Sequence, residues 1–162
     1  MAATASPRRL LALVLVASAA IVGGALLFQY VGGLAPCELC LYQRWPYYAA
    51  ILASGIALLS GSDRALEVVI GLCALLFAAS TALALYHVGV EQHWFAGPTA
   101  CTGGTSGADT VEALKAQLLG RQPVNCDEPA WRLFGVSLAG WNLLASAVIT
   151  IFCGAAVLRR RR

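Results

Sequence analysis

Charged side chains are scarce in this sequence, and their scarcity excludes an ordinary soluble protein. Only 12% of the 162 residues are Asp, Glu, Lys or Arg, whereas 59% are hydrophobic, and the mean hydropathy is +0.74. A soluble globular domain has about 25% charged residues. Internal repeats and low-complexity segments are also absent, apart from the arginine tail at the C-terminus. The composition therefore predicts a single integral membrane domain over residues 1–162.

Four apolar stretches predict four membrane-spanning helices. A helix needs about 20 apolar residues to cross the hydrocarbon core of a bilayer. The second stretch is the shortest, so the aromatic residues at its start must extend it through the membrane interface. Helices satisfy their own backbone polar groups in lipid, and no alternating strand pattern competes, so we expect an all-α four-helix bundle. The predicted spans are about 10–30, 46–60, 65–87 and 136–158, and the loops between them on the outer side are about 31–45 and 88–135.

Basic residues are distributed unevenly between the two sides of this predicted bundle. An even number of spans places both termini on one side, and seven of the eleven Lys and Arg residues fall there in short segments. The positive-inside rule therefore predicts cytoplasmic termini and two extracytoplasmic loops. The net charge of +3 reflects this asymmetry, and we expect no nucleic-acid partner. A cleaved signal peptide is the alternative for the first stretch, but its apolar run is longer than a usual signal sequence, which favours a retained anchor.

The second outer loop contains a helical pattern, "DTVEALKAQLLG" at residues 109–120. Asp109 is a plausible N-cap with Glu112 three residues later, and Gly120 is a plausible end. Apolar residues at helical spacing favour a short helix lying in the membrane interface. A loop helix packed on the bundle is the alternative.

Six cysteines divide by position along the chain. Cys73 and Cys153 fall within predicted spans, and we interpret them as small apolar core residues without chemistry. The other four lie in the outer loops, where an oxidising compartment permits disulfides. These are Cys37, Cys40, Cys101 and Cys126.

Structural disulfides, a zinc site and a redox centre compete as interpretations of the four loop cysteines. Haem attachment is excluded because it needs Cys-x-x-Cys-His, and Leu41 follows Cys40. The pair Cys101 and Cys126 lacks the close spacing that zinc sites favour. Cys37 and Cys40 form a Cys-x-x-Cys, whose very small ring is associated with redox turnover more than with bracing.

The surroundings of the Cys-x-x-Cys, "PCELCLYQRWPYY" at residues 36–48, favour the redox interpretation. Pro46 is typical of a first helical turn, so the second helix is expected to start there with the positive end of its dipole towards the cysteines. Arg44 lies one helical turn after Cys40, and both effects favour a thiolate. Tyr47 and Tyr48 are interpreted as aromatic residues of the membrane interface.

The motif Cys-x-x-Cys-x-x-x-Arg, matched by Cys37, Cys40 and Arg44, resembles the first periplasmic loop of the DsbB family. The segments around Cys101 and Cys126, "YHVGVEQHWFAGPTAC" and "CDEPAWRLFGVSLAGWN", are similar to the second loop of that family. The resemblance extends from the first predicted span through the fourth. It implies a location in the bacterial inner membrane, with both loops in the periplasm.

The resemblance also implies an enzyme activity. A reduced thioredoxin-fold partner of the DsbA type would be oxidised by a Cys101–Cys126 disulfide, with Cys101 forming the mixed disulfide. Electrons would pass to Cys37–Cys40 and then to a membrane quinone, either ubiquinone or menaquinone. Arg44 would stabilise negative charge on the quinone and on the Cys40 thiolate. DsbA is a strong oxidant, and the DsbA–DsbB–quinone system is known to keep the bacterial periplasm oxidising.

His87, Glu91 and His93 cluster near the outer end of the third predicted span, and His87 is the candidate to contact the quinone. Two other functions stay open at this point. A vitamin K epoxide reductase homologue also combines two cysteine pairs with a quinone, but its Cys-x-x-Cys comes late in the chain. A structural or regulatory membrane subunit would use the same cysteines only to staple its loops.

Overall fold

The computed structural model describes residues 6–98, Val111, Lys115 and residues 125–160. Within them, four long helices form the fold, as the apolar stretches predict. They are α1 (Pro7–Tyr30), α2 (Glu38–Ser60), α3 (Asp63–Glu91) and α4 (Leu138–Arg160). A two-stranded hairpin of β1 (Arg132–Leu133) and β2 (Val136–Ser137) precedes α4.

The four helices pack as a bundle around an apolar core. α3 packs most extensively on α4, and α2 lies between α1 and α3. Leu11 of α1, Phe77 of α3 and Cys153 of α4 are fully buried in the core cluster, and Cys73 lies there too, with its sulfur 3.8 Å from the Ser54 hydroxyl. Tyr47 meets Phe77 edge to face, with ring centroids 5.0 Å apart. The interpretation of Cys73 and Cys153 as core residues agrees with this position.

Two contacts show that the start of α1 and the end of α4 lie at the same end of the bundle. Arg8, near the start of α1, donates a hydrogen bond to the carbonyl of Leu58 at the end of α2. Arg160, at the end of α4, forms an ion pair of 2.6 Å with Glu67 near the start of α3. The opposite end holds the first turn of α2, the last turns of α3 and the hairpin. The bundle therefore alternates in direction, as an even number of spans requires.

Three of the four helices, α1, α3 and α4, are long and apolar enough to cross a membrane. α2 is not among them because its first half carries the polar residues Glu38, Gln43 and Arg44. The structure thus supports a membrane protein with a helical bundle. The expectation of four membrane-spanning helices is met in part.

α2 begins eight residues earlier than expected. The sequence predicted a start near Pro46, but Pro46 lies inside the helix, and the N-cap is Cys37. The Cys37 sulfur accepts a hydrogen bond of 3.2 Å from the Cys40 N–H, which is how N-cap side chains satisfy the open N–H groups of a first turn. Proline is frequent at the first position of a helix because its missing N–H and fixed φ are tolerated there. This preference is statistical and does not fix the start of a particular helix. Cys40 and Arg44 therefore lie on a helix and not in a loop.

The hairpin was not predicted from the sequence. Phe134 and Gly135 both have positive φ angles, 52° and 80°, as a type I′ turn requires, and Arg132 pairs with Ser137. The Ser137 hydroxyl accepts a hydrogen bond from the Gly140 N–H and so caps α4. The same hydroxyl donates a hydrogen bond to the Glu91 carboxylate of α3, which ties the start of α4 to α3.

The predicted helix at 109–120 lies outside the described residues, except for Val111 and Lys115, which are both helical. Cys101 also lies outside the described residues.

Candidate functional site

The first turn of α2 holds the two sulfurs of the Cys-x-x-Cys in contact. Cys37, the N-cap, is 5% exposed, and Cys40 is half-buried. The Cys37 thiol donates to the Cys40 sulfur, with 2.7 Å between the two sulfurs. A disulfide bond is about 2.05 Å long, so little movement separates this arrangement from a closed ring. The spacing in the sequence thus produces a vicinal pair.

The two thiols of this pair differ in acidity. Because Cys37 donates its proton to Cys40 and is buried, the pKa of Cys37 is raised to about 12. The same hydrogen bond lowers the pKa of Cys40, and a backbone hydrogen bond from Cys37 adds to the effect. Cys40 therefore ionises more readily than Cys37 to the thiolate, the reactive form of a cysteine. Its stabilisation comes first from Cys37, whereas the sequence had suggested the helix dipole and Arg44.

Replacing Cys37 with alanine should raise the pKa of Cys40, because the hydrogen bond that lowers it is lost. At pH 7 the thiolate fraction of Cys40 would fall, and alkylation by iodoacetamide would slow several-fold. The Cys37→Ser variant is the matched control, since its hydroxyl can still donate and should shift the pH midpoint less. Both are compared with the parent in a reduced Cys101→Ser/Cys126→Ser background. An unchanged pH midpoint in the alanine variant would contradict this assignment.

His87 approaches the cysteine pair from α3. It is 2% exposed, and its Nε2 lies 3.6 Å from the Cys37 sulfur. Its Nδ1 lies 3.0 Å from the side-chain amide of Gln43. Gln43 accepts a hydrogen bond of 2.9 Å from Asn142, which in turn accepts one of 2.6 Å from the Tyr47 hydroxyl. A continuous polar chain therefore runs from Cys37 across three helices.

Two members of this chain, Gln43 and Asn142, were missed in the sequence, and a third was misread. Tyr47 is 2% exposed and bonded to Asn142, so its interpretation as an interface aromatic is wrong. The sequence did contain a signal for the two missed residues: Gln43 is an amide at the edge of a predicted span, and Asn142 is an amide inside one. Such groups turn towards the interior of a bundle, because lipid leaves them without partners.

A cavity of about 450 Å³ opens beside the cysteine pair. Its walls come from α1, α2, α4 and residues 125–133, with His87 and Glu91 of α3 at one side. Most of its lining is apolar, including Phe28, Trp131 and Trp141. Its polar lining residues come from the first turns of α2, the nearby parts of α3 and α4, and the segment before the hairpin. They include Cys37, Cys40, Gln43, Arg44, His87, Glu91, Asn125, Glu128 and Asn142. A concave apolar site with a few convergent polar groups is the usual form of a small-molecule pocket.

Arg44 lines this cavity and donates a hydrogen bond of 2.6 Å to the Gln29 side chain of α1. The guanidinium thereby links α2 to α1 beside the cavity. Because it lies one helical turn after Cys40, it shares the cavity wall with that residue.

Cys126 packs against the same cysteine pair. It is 1% exposed and forms a buried cluster with Cys37, Leu39 and Val90, to which Cys40 also packs. Its charge acts on Cys40, raising the pKa of that thiol against the larger lowering effect of Cys37. The sequence separation of 86 to 89 residues between Cys126 and the pair gave no indication of this contact.

The predicted cluster of His87, Glu91 and His93 separates in the structure. Glu91 is 8% exposed, accepts a short hydrogen bond from the Ser137 hydroxyl and lines the cavity. His93 is exposed in the turn after α3, with a φ of 60°. Only His87 and Glu91 therefore face the site.

A sequence profile described as disulfide bond formation protein DsbB matches residues 7–156. The chain belongs to the DsbB family. It is 30% identical to disulfide bond formation protein B of Stutzerimonas stutzeri, over 96% of this chain and 98% of that protein. It is 31% identical to disulfide bond formation protein B 1 of Pseudomonas fluorescens, over 96% and 92% of the two chains. The corresponding protein B 1 of Burkholderia lata is 32% identical, over 96% and 91%. No solved structure matches the chain significantly.

DsbB-family membership makes the chain a membrane thiol:disulfide oxidoreductase of disulfide bond formation, as the resemblance implied. The site contains the residues that such chemistry needs. Vicinal sulfurs, one of them with a lowered pKa, lie beside a third buried sulfur, and thiol–disulfide exchange takes place between sulfurs in such contact.

Proposed function

We propose that the protein re-oxidises a periplasmic DsbA-type oxidase and passes the electrons to a membrane quinone. One observation carries this proposal: the Cys37–Cys40 pair packs in one cluster with the buried Cys126 and also lines a largely apolar cavity of about 450 Å³. A pair in this position can exchange with a cysteine that communicates with a soluble protein. It can also face a ligand dissolved in the bilayer.

Two thiol–disulfide exchanges, the first with the partner protein and the second within the chain, connect the partner to the cavity. In the first, the reduced partner attacks the Cys101–Cys126 disulfide at Cys101, and its second thiol releases the mixed disulfide, so that Cys101 and Cys126 become thiols. In the second, the Cys126 thiolate attacks the Cys37–Cys40 disulfide, and Cys101 completes the exchange. Two electrons and two protons then reside on Cys37 and Cys40, and the Cys101–Cys126 bond is restored.

The cavity residues fit a quinone. The apolar lining suits the hydrocarbon parts of the molecule, and Arg44, Gln43 and His87 offer hydrogen-bond donors for carbonyl oxygens on one wall. When bound, a quinone supplies an acceptor for two electrons and two protons, which a disulfide lacks. The residues around it have separate roles. Cys37 holds the proton that stabilises the Cys40 thiolate, Gln43 orients His87, and Arg44 places a permanent positive charge where negative charge develops.

The proposed location is the bacterial inner membrane, with both termini in the cytoplasm. The alternating bundle brings Arg8 and Arg160 to the same end, where the basic residues near the termini favour the cytoplasm. The cysteine pair and the hairpin then face the periplasm. α2 completes the bundle as a fourth span through its apolar part after Pro46, while its first turns form the wall of the cavity.

The direct test is quinone reduction by the reduced protein in detergent under anaerobic conditions. Adding a water-soluble quinone should consume two quinones per fully reduced chain, one for each cysteine pair, because the Cys101–Cys126 dithiol reduces the Cys37–Cys40 disulfide again. The change in ultraviolet absorbance measures the quinone consumed. Protein oxidised beforehand is the control and should consume none. Adding a reduced DsbA-type partner should make the reaction continue over many turnovers. Reduced protein whose thiols persist beside the quinone would favour a structural subunit with stapled loops and overturn the proposal.

Replacing Arg44 with alanine should raise the apparent quinone KM roughly 10- to 100-fold, since a hydrogen bond to a charged group contributes about 1.5–3 kcal/mol. Arg132→Ala removes an arginine from the same end of the bundle that lies outside this cavity, so its quinone KM should match that of the parent. Steady-state quinone titrations with saturating reduced partner measure both. An unchanged KM in Arg44→Ala would exclude Arg44 from the quinone site.

A further inference from the structure

Cys37, Cys40 and His87 form a cluster whose geometry suits a metal ion as well as redox exchange. The two sulfurs and one ring nitrogen all lie within 4.8 Å of one another. We propose that the reduced Cys37–Cys40 pair and His87 bind a borderline-soft divalent cation, Zn²⁺ in particular, and that the bound ion blocks re-oxidation of the pair. The binding rests on this geometry alone, and the block rests on the proposed function.

The distances agree with a tetrahedral zinc site after a small movement. With Zn–S near 2.3 Å and Zn–N near 2.05 Å, a sulfur and a nitrogen ligand are separated by roughly 3.6 Å, and two sulfur ligands by roughly 3.8 Å. Cys37 and His87 lie 3.6 Å apart, while the two sulfurs lie 2.7 Å apart and must separate by about 1 Å. Rotation of the half-buried Cys40 side chain towards the cavity supplies that movement.

The ligand set selects zinc by its chemistry. Two thiolates and an imidazole are soft and borderline donors, which Zn²⁺ prefers over Mg²⁺ or Ca²⁺. Two thiolates also neutralise the ion, and the carboxylate of Glu91 is near enough to act on the charge of Cys40. The fourth position faces the cavity, because all three ligands line it, so a water molecule can complete the tetrahedron and the ion has an entry path.

Gln43 supplies the outer partner that a metal-binding histidine needs. Its amide lies 3.0 Å from Nδ1 of His87, on the side of the ring opposite the sulfurs. Binding through Nε2 requires a proton on Nδ1. The side-chain oxygen of Gln43 can accept a hydrogen bond from this Nδ1–H if the Gln43 amide flips over. The Asn142 amide can flip as well, so that the two amides stay hydrogen-bonded. Such partners fix the ring and its tautomer in metal sites.

The site exists only in the dithiol state, because a disulfide has no thiolate to offer. Binding releases the thiol protons and transfers no electrons, so the ion and oxidation compete for the same two sulfurs. Zinc would therefore hold the pair reduced and occupy the cavity wall that the quinone approaches. The expected behaviour is inhibition that a chelator reverses.

Zinc affinity of the full chain in detergent tests the proposal, measured by competition with a chromophoric chelator in a Cys101→Ser/Cys126→Ser background. The reduced background protein should bind one Zn²⁺, and its oxidised form none. His87→Ala should weaken binding at least tenfold, and His87→Gln provides a second variant if the alanine protein is unstable. Cys37→Ser should weaken binding more than 100-fold. Cys73→Ser, which changes a core cysteine, should bind as the background does.

Co²⁺ provides an independent readout of the ligands. The visible absorption bands of bound Co²⁺ show whether its coordination is tetrahedral. The intensity of its thiolate charge-transfer band shows how many thiolates bind the ion, and we expect two in the Cys101→Ser/Cys126→Ser protein. Unchanged affinity and spectrum in both His87 variants, or equal binding by the oxidised protein, would overturn the site. If the protein binds zinc as expected but the zinc-free protein does not reduce quinone, the metal site stands and the proposed function is wrong. Quinone reduction that is insensitive to zinc would leave the function intact and refute the block.

Discussion

The Cys40→Ser protein should lose quinone reduction by a reduced DsbA-type partner, with turnover falling roughly 1,000-fold or more, as when a catalytic nucleophile is removed. Serine has nearly the shape of cysteine, but its oxygen cannot form a disulfide or act as a thiolate. Cys40 also has the lowered pKa, whereas the pKa of Cys37 is raised, so Cys37 cannot replace Cys40 as the thiolate. Quinone absorbance recorded with excess reduced partner measures the loss.

Cys73→Ser and Cys153→Ser are the matched controls for this experiment. Both residues are fully buried in the apolar core of the bundle, among side chains of α1 to α4. Each variant should keep turnover within about twofold of the parent, with any cost appearing as lower thermal stability. Full activity in Cys40→Ser would end the proposed relay. A large loss of turnover in a folded Cys73→Ser protein would place the redox centre elsewhere.

The Cys126→Ser protein should separate the two halves of the relay. Turnover driven by the reduced partner should fall more than about 100-fold, because no thiolate remains to reduce the Cys37–Cys40 disulfide from the loop. Quinone reduction driven by a small dithiol should persist, since such a reagent can reach the half-buried Cys40 directly through the cavity. Measuring both reductants with one enzyme preparation provides the comparison.

Cys101→Ser is the companion variant for Cys126→Ser. It should also lose partner-driven turnover, because the mixed disulfide forms at Cys101, and it should keep the dithiol-driven reaction. Equal losses with both reductants in a folded Cys126→Ser protein would show that Cys126 supports the site structurally. Retained partner-driven turnover would mean that the partner reduces Cys37–Cys40 without the second pair.

The family and the chemistry of this protein could be predicted from short stretches of sequence. Cys37 and Cys40 are three residues apart, so the first turn of a helix is enough to bring their sulfurs together. Arg44 follows on the same helical face. The start of α2 was wrong by eight residues, because Pro46 resembles a helix start while the true N-cap is a cysteine, which is not a typical capping residue.

The sequence by itself determined the bundle and its reactive pair, since apolar runs in lipid have to satisfy their backbones within each helix and local spacing places Cys37 beside Cys40. Tertiary structure alone decided what surrounds the pair. His87 is 50 residues from Cys37, and Asn142 is 99 residues from Gln43, yet they form one polar chain. Such contacts depend on which faces of the helices pack together. Hydropathy does not specify those faces, because lipid-facing and core-facing side chains in a membrane bundle are almost equally apolar.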